Sequence, residues 1–415
     1  MKVLVIGRGG REHAVVKKFK RDGVCEVFCA PGNPGMVEAT LVDIEETQVA
    51  ELAIWVKENK IDLTVVGPEM ALMAGVVDAF EAEGLKVFGP NKAAAYIEGS
   101  KAFAKRLMAK YNIPTAEYGE FNNKQVEEAL VFLEAQSVPI VIKADGLAAG
   151  KGVVICQTLE EARATVNDML VNASFGEASA SVVIEEFLDG EEFSLMSFVA
   201  GDKFYPMPIA RDYKRAYDND EGLNTGGMGA HSPHPLITDE DYQIAIEKIV
   251  KPTVGAMIAE GIPFTGILYA GLIKTADGLK VIEFNARFGD PETEVVLPLL
   301  ETKLSTVLLD LLAGEDVELK WRSEQTVGVV LAAKGYPMDF EKGEPIGAFD
   351  TLEDVDVYHM GTGMVDGEFV INGGRVLFVV ASGADLVEAR EKVYTEIGKI
   401  EWDGLFYRTD IAGKQ

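Results

Sequence analysis

At 415 residues the chain is long enough for about three domains, and 48% hydrophobic residues with charges spread throughout describe a globular protein with a sizeable core in each. A formal charge of −28 excludes a long basic face for wrapping nucleic acid, so an anionic ligand must be held by locally grouped Lys, Arg and backbone N–H groups. No run of about 18 apolar residues occurs, and the start MKVLVI turns to glycine and charge, so a cytoplasmic protein without membrane span or leader is expected. Cys25, Cys29 and Cys156 are odd in number and lack metal-ligand spacing. They read as small core residues in a reducing compartment.

Residues 2–6 (KVLVI) predict a buried strand, followed by a helix over 12–20, a strand over 24–30 and a turn at 31–35. A helix near 48–59, a strand at 61–66, a helix near 71–83 and KVFGP at 86–90 continue the alternation. This βαβα order predicts a doubly wound parallel sheet. A helix over 91–111, stopped by Pro114, bridges to a second domain. Residues 138–200 read as strands broken by glycine-rich turns, and 211–235 as a long loop. Helices are expected near 239–260 and 294–313, with strands at 264–274 and 279–288 between them. From Glu324 the pattern changes to short strands and turns with one helix near 385–398.

Five segments carry chemistry. GRGGREH at 7–13 links strand to helix through a glycine-rich turn, where unpaired N–H groups and the helix dipole favour an anion. The dinucleotide fingerprint needs a third glycine where this chain has Glu12, so a phosphate site and a plain tight turn are the readings left. IKADGLAAGKG at 142–152 fails the P-loop spacing, because Gly152 stands where Ser or Thr should bind magnesium. With Lys143 and Lys151 flanking the turn, it is either a lid over a triphosphate or a simple hairpin. IEEFLDGEEFS at 184–194 sets Glu185, Glu186, Glu191 and Glu192 around Phe187 and Leu188, as a solvated edge or a nucleotide hinge.

In VIEFNARFGDPE at 281–292, Glu283, Asn285 and Arg287 alternate along a predicted strand and so share one face. A carboxylate and an amide oxygen suit Mg²⁺, and Arg287 suits a carboxylate or phosphate. The loop at 211–230 mixes Arg211, Lys214 and Arg215 with a glycine-rich end, which favours substrate contact over a disordered loop. His13, His231, His234 and His359 show no acid or nucleophile spacing.

These residues resemble the glycinamide ribonucleotide synthetase family of ATP-grasp enzymes over essentially the whole chain. RFGDPE at 287–292 is the most specific match, with GGREHA at 9–14, GPE at 67–69, KADGLAAGKG at 143–152, EEFLDGEE at 185–192 and NTGGMGA at 224–230 in family order. The resemblance implies an α/β protein, α+β in part. An N-terminal doubly wound domain over 1–101 would precede an ATP-grasp domain over 102–324, with a lid at about 115–190, and a small C-terminal α+β domain over 325–415.

The implied reaction joins glycine to 5-phosphoribosylamine at the expense of ATP, through a glycyl phosphate, in purine biosynthesis. ATP and Mg²⁺ (or Mn²⁺) are the implied cofactors. The partners are small molecules, not nucleic acid or membrane, and the chain is expected as a monomer. Lys105, Lys143, Gly150, Lys151 and Gly152 would contact the nucleotide's phosphates or base, with Glu185, Glu186, Phe187 and Leu188 around adenine and Glu192 on the ribose. Glu283 and Asn285 would hold the metal; Arg287, Asp290, Asp212 and Lys214 would stand at the reacting groups. Substrate would touch Gly9, Gly10, Arg11, Glu12, Gly32, Asn33, Gly67, Pro68 and Glu69, together with Asn224, Gly226, Gly227, Met228, Gly229 and Gly289.

Arg8, Tyr213, Leu223 and Glu294 depart from the family's usual glycine, histidine, proline and glutamine. The rival readings are another ATP-grasp ligase or carboxylase, a dehydrogenase opposed by Glu12, and a non-catalytic nucleotide sensor opposed by the 283–287 face.

Overall fold

The computed structural model describes residues 1–146, 152–174, 176, 180–347, 349–400 and 403–413. Gly150 and Lys151 therefore lie outside the described residues.

The N-terminal unit is a parallel sheet built from β1 (Lys2–Gly7), β2 (Glu26–Pro31), β3 (Thr40–Leu41), β4 (Leu63–Val66) and β5 (Val87–Phe88), in the order β3-β2-β1-β4-β5. Val3, Leu4, Val5 and Ile6 are fully buried, as befits a central strand covered on both faces. Helices α1 (Gly10–Arg21), α2 (Val49–Asn59), α3 (Glu69–Met73), α4 (Val76–Ala82) and α5 (Lys92–Gly99) connect and cover it. The helix expected over 71–83 is interrupted at Gly75, whose φ of +85° an L side chain rarely adopts.

The single bridging helix expected over 91–111 is two helices, α5 and α6 (Lys101–Lys110). Ser100 between them is extended at φ −140°, ψ 117°, and its Oγ accepts from the N–H of Phe103 at 3.0 Å. A serine that caps a new helix offers the backbone a better partner than continuation of the old one.

A lid follows: β6 (Tyr118–Asn122), α7 (Val126–Glu134), β7 (Ile140–Ala144), β8 (Val153–Cys156), α8 (Leu159–Leu170) and β9 (Ser181–Glu186), the strands paired antiparallel in the order β6-β9-β7-β8. Helix α8 corrects the all-strand reading of 138–200. Its signal was present: Thr158 caps Glu161, and Ala162, Val166, Met169 and Leu170 form the buried face.

Residues 187–190 lead out of the lid into β10 (Glu191–Ala200), which pairs with β11 (Lys203–Pro206). The segment read as a long loop instead carries β12 (Arg211–Asp212), a hairpin of β13 (Arg215–Tyr217) and β14 (Glu221–Asn224), and β15 (Gly229–Ser232). The helix expected over 239–260 runs as α9 (Asp239–Ala245), a π-helical turn at Ile246–Val250, and α10 (Lys251–Ala259).

Strands β16 (Thr265–Thr275) and β17 (Gly278–Asn285) complete a central antiparallel sheet, β11-β10-β16-β17. The helix expected over 294–313 is divided into α11 (Glu292–Val296), a 3₁₀ turn at Leu297–Leu299 that contains Pro298, and α12 (Leu304–Leu312).

The remainder holds β18 (Gln325–Ala333), β19 (Asp356–His359), β20 (Thr362–Val365), β21 (Glu368–Ile371), β22 (Arg375–Gly383), α13 (Leu386–Ile397) and β23 (Leu405–Phe406). Its main sheet runs β12-β15-β18-β22-β19 with β23 on β18, so two strands from the 211–232 stretch belong to it. Apolar cores cross these borders: one joins Leu4 and Phe80 to Leu268 and Phe284, another joins Phe19 to Phe288 and Phe378. Cys29 and Cys156 are buried as expected, whereas Cys25 is exposed, because it lies in the turn ahead of β2 and not in its core.

Candidate active site

The connection at 187–190 joins the lid sheet to the central sheet, so the residues flanking it stand at the junction of the two. Glu185, next to last in β9, is 4% exposed. Its Oε2 lies 3.0 Å from Nζ of Lys105 on α6 and its Oε1 lies 3.1 Å from Nζ of Lys143 on β7. Lys105 also donates to Oγ1 of Thr115 (2.8 Å), and Lys143 to the carbonyl of Ile282 on β17 (3.1 Å). Burial pushes the Lys105 ammonium down to about 8, with Glu185 opposing and Lys143 adding to the fall.

Alternation along β9 turns Glu186 the other way, where it takes Lys280 at 2.8 Å and the N–H of Glu117 at 3.0 Å. Phe187 is exposed and Leu188 half-buried in the connection. Glu192, at the start of β10, pairs with Lys214. Gly152 is buried, and its carbonyl accepts from the N–H of Ala144 at 2.8 Å.

On β17, Glu283 pairs opposite Gly271, and the register shifts between Gly271 and Leu272. The strand ends at Asn285. Arg287 therefore lies beyond it, which corrects the expectation of three side chains on one strand face. Its guanidinium turns to the N-terminal unit, 3.0 Å from Glu98 and 3.6 Å from Glu69. Glu98 also accepts from the N–H of Ala286 at 2.7 Å.

Glu283 and Asn285 remain neighbours of one alternation. Burial raises the Glu283 carboxyl, but Lys214, Lys143, Lys101 and Arg287 outweigh it and hold the group below its usual range. An ionised carboxylate and an amide oxygen are hard donors that fit Mg²⁺, which takes few protein ligands beside phosphate and water. Among the described residues no three His, Cys, Asp or Glu side chains converge as a metal cage. Burial lifts Asp212 to about 7, against Lys214 at 4.0 Å and helped by Glu292, Glu192 and Glu283. Asp212, Glu192 and Glu283 in turn raise Lys214 against its burial, so it stays a cation.

The first glycine-rich turn is built around Glu12. Its Oε2 accepts from the N–H of Gly9 at 2.7 Å as a capping box on α1, and its Oε1 pairs with Arg11 at 2.5 Å. A Cβ on Gly67 would come within 2.0 Å of Glu12 Oε1, and one on Gly7 (φ +126°) within 2.6 Å of Glu12 Cδ. The two glycines thus make room for a carboxylate where a dinucleotide fold has a third glycine. Pro68 caps α3, so Glu69 stands at a helix start facing Arg287. Asn33 is committed to the frame: its amide donates to the carbonyls of Arg8 (2.7 Å) and His359 (3.0 Å), and its Oδ1 accepts from Gly35. Gly32 (φ +67°) packs on Cys29 and Leu41.

The 211–230 stretch is clamped by the C-terminal unit. The guanidinium of Arg408, 1% exposed, bonds Asp220 (2.9 Å), Asp410 and the carbonyl of Arg215. Met228 is fully buried, and a Cβ on Gly229 would come within 2.9 Å of the Gly328 carbonyl, so these two serve packing against β18. Asn224 is exposed at the end of the hairpin, opposite Arg215. Gly226 and Gly227 lie against Arg375 and Pro291. Gly289 leaves room for Glu292, whose Oε1 accepts from Ser194 (2.7 Å) and Tyr269 (2.8 Å).

Asp290 sits 2.8 Å from Arg375 of β22. Sequence reasoning passed over Arg375, since a lone arginine in the C-terminal stretch belongs to no local pattern. Thr115, Glu98 and Lys101 were likewise missed. The four histidines lie in structural settings: burial lowers His13, takes His359 and His231 to about 3, and takes His234 to about 4, so all are neutral at pH 7.

A lid hinged over an antiparallel sheet, with buried lysines on one wall and a carboxylate–amide pair on the other, defines an ATP-grasp enzyme. Family models for phosphoribosylglycinamide synthetase match three consecutive stretches: the N domain at residues 1–98, the ATP-grasp (A) domain at 99–293 and the C domain at 326–414. The chain belongs to that family.

A phosphoribosylamine–glycine ligase of Halalkalibacterium halodurans is 55% identical over 100% of this chain and 97% of its own length. One of Listeria innocua is 51% identical with both chains covered completely. The crystal structure of the Thermotoga maritima phosphoribosylamine–glycine ligase matches with a TM-score of 0.86 at 36% identity, covering 99% of this chain and 100% of that one. A biotin carboxylase domain from Hydrogenobacter thermophilus shares the fold alone, with a TM-score of 0.74 at 16% identity over 98% of this chain and 91% of its own.

Proposed function

We propose that this ATP-dependent ligase joins glycine to 5-phosphoribosylamine, giving glycinamide ribonucleotide, ADP and phosphate. The observation that carries the reading is one continuous line of charged groups. It runs from Lys105, Lys143 and Glu185 beside the hinge, through Glu283 and Lys214, to Arg287 and Asp290 at the N-terminal glycine turn. It supports ATP at one end and the phosphorylated amine at the other. The names of the full-length relatives support the same pair of substrates.

In this reading Lys105 and Lys143 neutralise ATP phosphates, with backbone groups at Phe187 and Leu188 beside adenine and Glu192 beside ribose. Glu283 and Asn285 hold a divalent metal, magnesium or manganese, which offsets charge on the transferring phosphoryl group when bound. A glycine carboxylate oxygen forms a bond to the γ-phosphorus while the bond to ADP breaks. The amine nitrogen then attacks the acyl carbon, phosphate leaves with its electron pair, and the nitrogen releases a proton. No protein nucleophile is needed, so catalysis rests on positioning and electrostatics. Arg287 steadies the glycine carboxylate, and the turn at Gly9 and Gly10 takes the ribose phosphate at the start of α1. The units 1–101, 102–324 and 325–415 are the proposed working domains. A monomer in the cytoplasm suits small-molecule substrates.

ADP release measured with each substrate omitted in turn tests the reaction. Release is expected only with glycine and phosphoribosylamine both present; full release without glycine would overturn the reading.

A further inference from the structure

One guanidinium of the C-terminal unit pairs with a carboxylate of the reacting groups. Arg375, the first residue of β22, places Nη1 2.8 Å from Oδ1 of Asp290 and donates to the carbonyl of Gly226 at 2.7 Å. The N–H of the same Gly226 donates to Oη of Tyr336 at 2.9 Å, so both backbone groups of that glycine are held by C-terminal side chains. A Cβ on Gly226 would come within 3.0 Å of Arg375 Cζ, and one on Gly227 (φ +111°) within 2.5 Å of Pro291 Cδ. The Gly226–Gly227 turn is thus pressed between Arg375 and the Asp290–Pro291 corner.

The two oxygens of Asp290 point different ways. Oδ1 is buried beside the Arg375 guanidinium as an ion pair without a hydrogen bond of its own, Nη1 donating to the Asp290 carbonyl at 3.3 Å, while Oδ2 faces the N-terminal glycine turn, where it would lie 3.6 Å from a Cβ built on Gly9. One carboxylate therefore spans the C-terminal guanidinium and the turn that opens α1. Burial opposes the charge on Arg375, but its neighbours, Asp290 foremost, outweigh it and keep the guanidinium a firm cation. An arginine can hold a carboxylate and a carbonyl in fixed geometry at once, which a lysine's single ammonium does less well.

We propose that Arg375 is a positioning residue for the amine half of the reaction: it aims Asp290 at the N-terminal glycine turn and sets the Gly226–Gly227 turn beside it, so the amine site is complete only with the C-terminal unit docked. The inference rests on the proposed reaction. Lys105, Lys143 and Glu185 have no C-terminal partner among the described residues, so ATP affinity is expected to be largely spared.

The test uses the full-length enzyme run in reverse, forming ATP from ADP, phosphate and glycinamide ribonucleotide, with wild type, Arg375→Ala and Arg375→Lys. Wild type that makes no ATP would refute the reaction and not the positioning role. With wild type active, Arg375→Ala is expected to lose about a hundredfold in kcat/KM for the ribonucleotide, the scale of an approximately 1 Å misplacement. Its dissociation constant for ATP, read by calorimetry, should stay within about twofold, and added guanidinium should restore part of the rate. Should Arg375→Ala fail to fold, Arg375→Lys carries the test, with an expected loss of roughly tenfold in the same parameter and unchanged ATP affinity. Ribonucleotide kcat/KM within about threefold of wild type in the folded variant, or a loss that follows ATP affinity instead, would overturn the proposal.

Discussion

Glu185 and Lys105 lie 3.0 Å apart and are almost wholly buried, with Lys143 on the other oxygen of the same carboxylate. One carboxylate touches both ammonium groups, with Glu186 and Glu283 acting on them from further away. Glu185→Gln leaves two buried ammonium groups without the carboxylate in contact with them. Removal of one partner from a buried pair costs about 3–5 kcal/mol, and this loss is expected in urea unfolding without nucleotide. Saturating ATP should narrow the gap between variant and wild type, because its phosphates replace the missing charge. An equal gap with and without ATP would separate these lysines from the nucleotide.

Lys105, held down to about 8 by burial, gives a pH signature. Above that pH the free enzyme loses the proton, while bound phosphates favour the charged form and raise the value. ATP binding should therefore take up roughly 0.5–1 proton at pH 8.5, and affinity should fall as pH rises through 8. Calorimetry in two buffers of different ionisation enthalpy reads the proton count directly. Zero uptake, or equal uptake in Lys105→Met, contradicts the assignment.

Glu294 is fully buried, and neither carboxylate oxygen has a hydrogen-bond partner. Burial, helped by Asp290, pushes its carboxyl well above the usual carboxylate range. Below the unfolded value of about 4.3 both states are protonated and the group contributes nothing. As pH rises beyond that, only the unfolded chain ionises, so stability is lost towards neutral pH. Glu294→Gln removes that loss. The variant is expected to gain on wild type in stability as pH rises from about 4 to about 8. A difference that is constant across this window, measured by chemical denaturation, would show that Glu294 is ionised in the folded protein.

Glu283→Gln keeps the shape of β17 but removes the one charged donor of the proposed metal pair. The half-saturating magnesium concentration for turnover should rise at least about tenfold, with the far-ultraviolet dichroism spectrum unchanged. An unchanged magnesium dependence would move the metal elsewhere.

The parts of this architecture written in short-range pattern were legible. The unbroken Val-Leu-Val-Ile run gives β1, and the alternation of Glu283 and Asn285 holds to the end of β17, where both are half-buried. What was hidden depended on partners distant in the chain. The end of β17 at Asn285, which frees Arg287 to meet Glu98, depends on tertiary contacts that alternation cannot reveal. The 211–230 stretch looked like a loop because its partners, Arg408 and β18, come nearly two hundred and one hundred residues later. The break at Ser100 was readable in principle, since serine before a helical run is a cap, but the alanine-rich sequence on both sides masked it. Arg375 had no such local sign; only its position beside Asp290 gives it meaning.

The central claim is that ATP activates the carboxylate of glycine as an acyl phosphate, which the amine then attacks. Glycine labelled with ¹⁸O in its carboxylate, turned over with ATP and phosphoribosylamine, tests it most directly by mass analysis of the released phosphate. The account predicts one labelled oxygen in each phosphate formed. Phosphate free of label, with glycinamide ribonucleotide still produced, would contradict it.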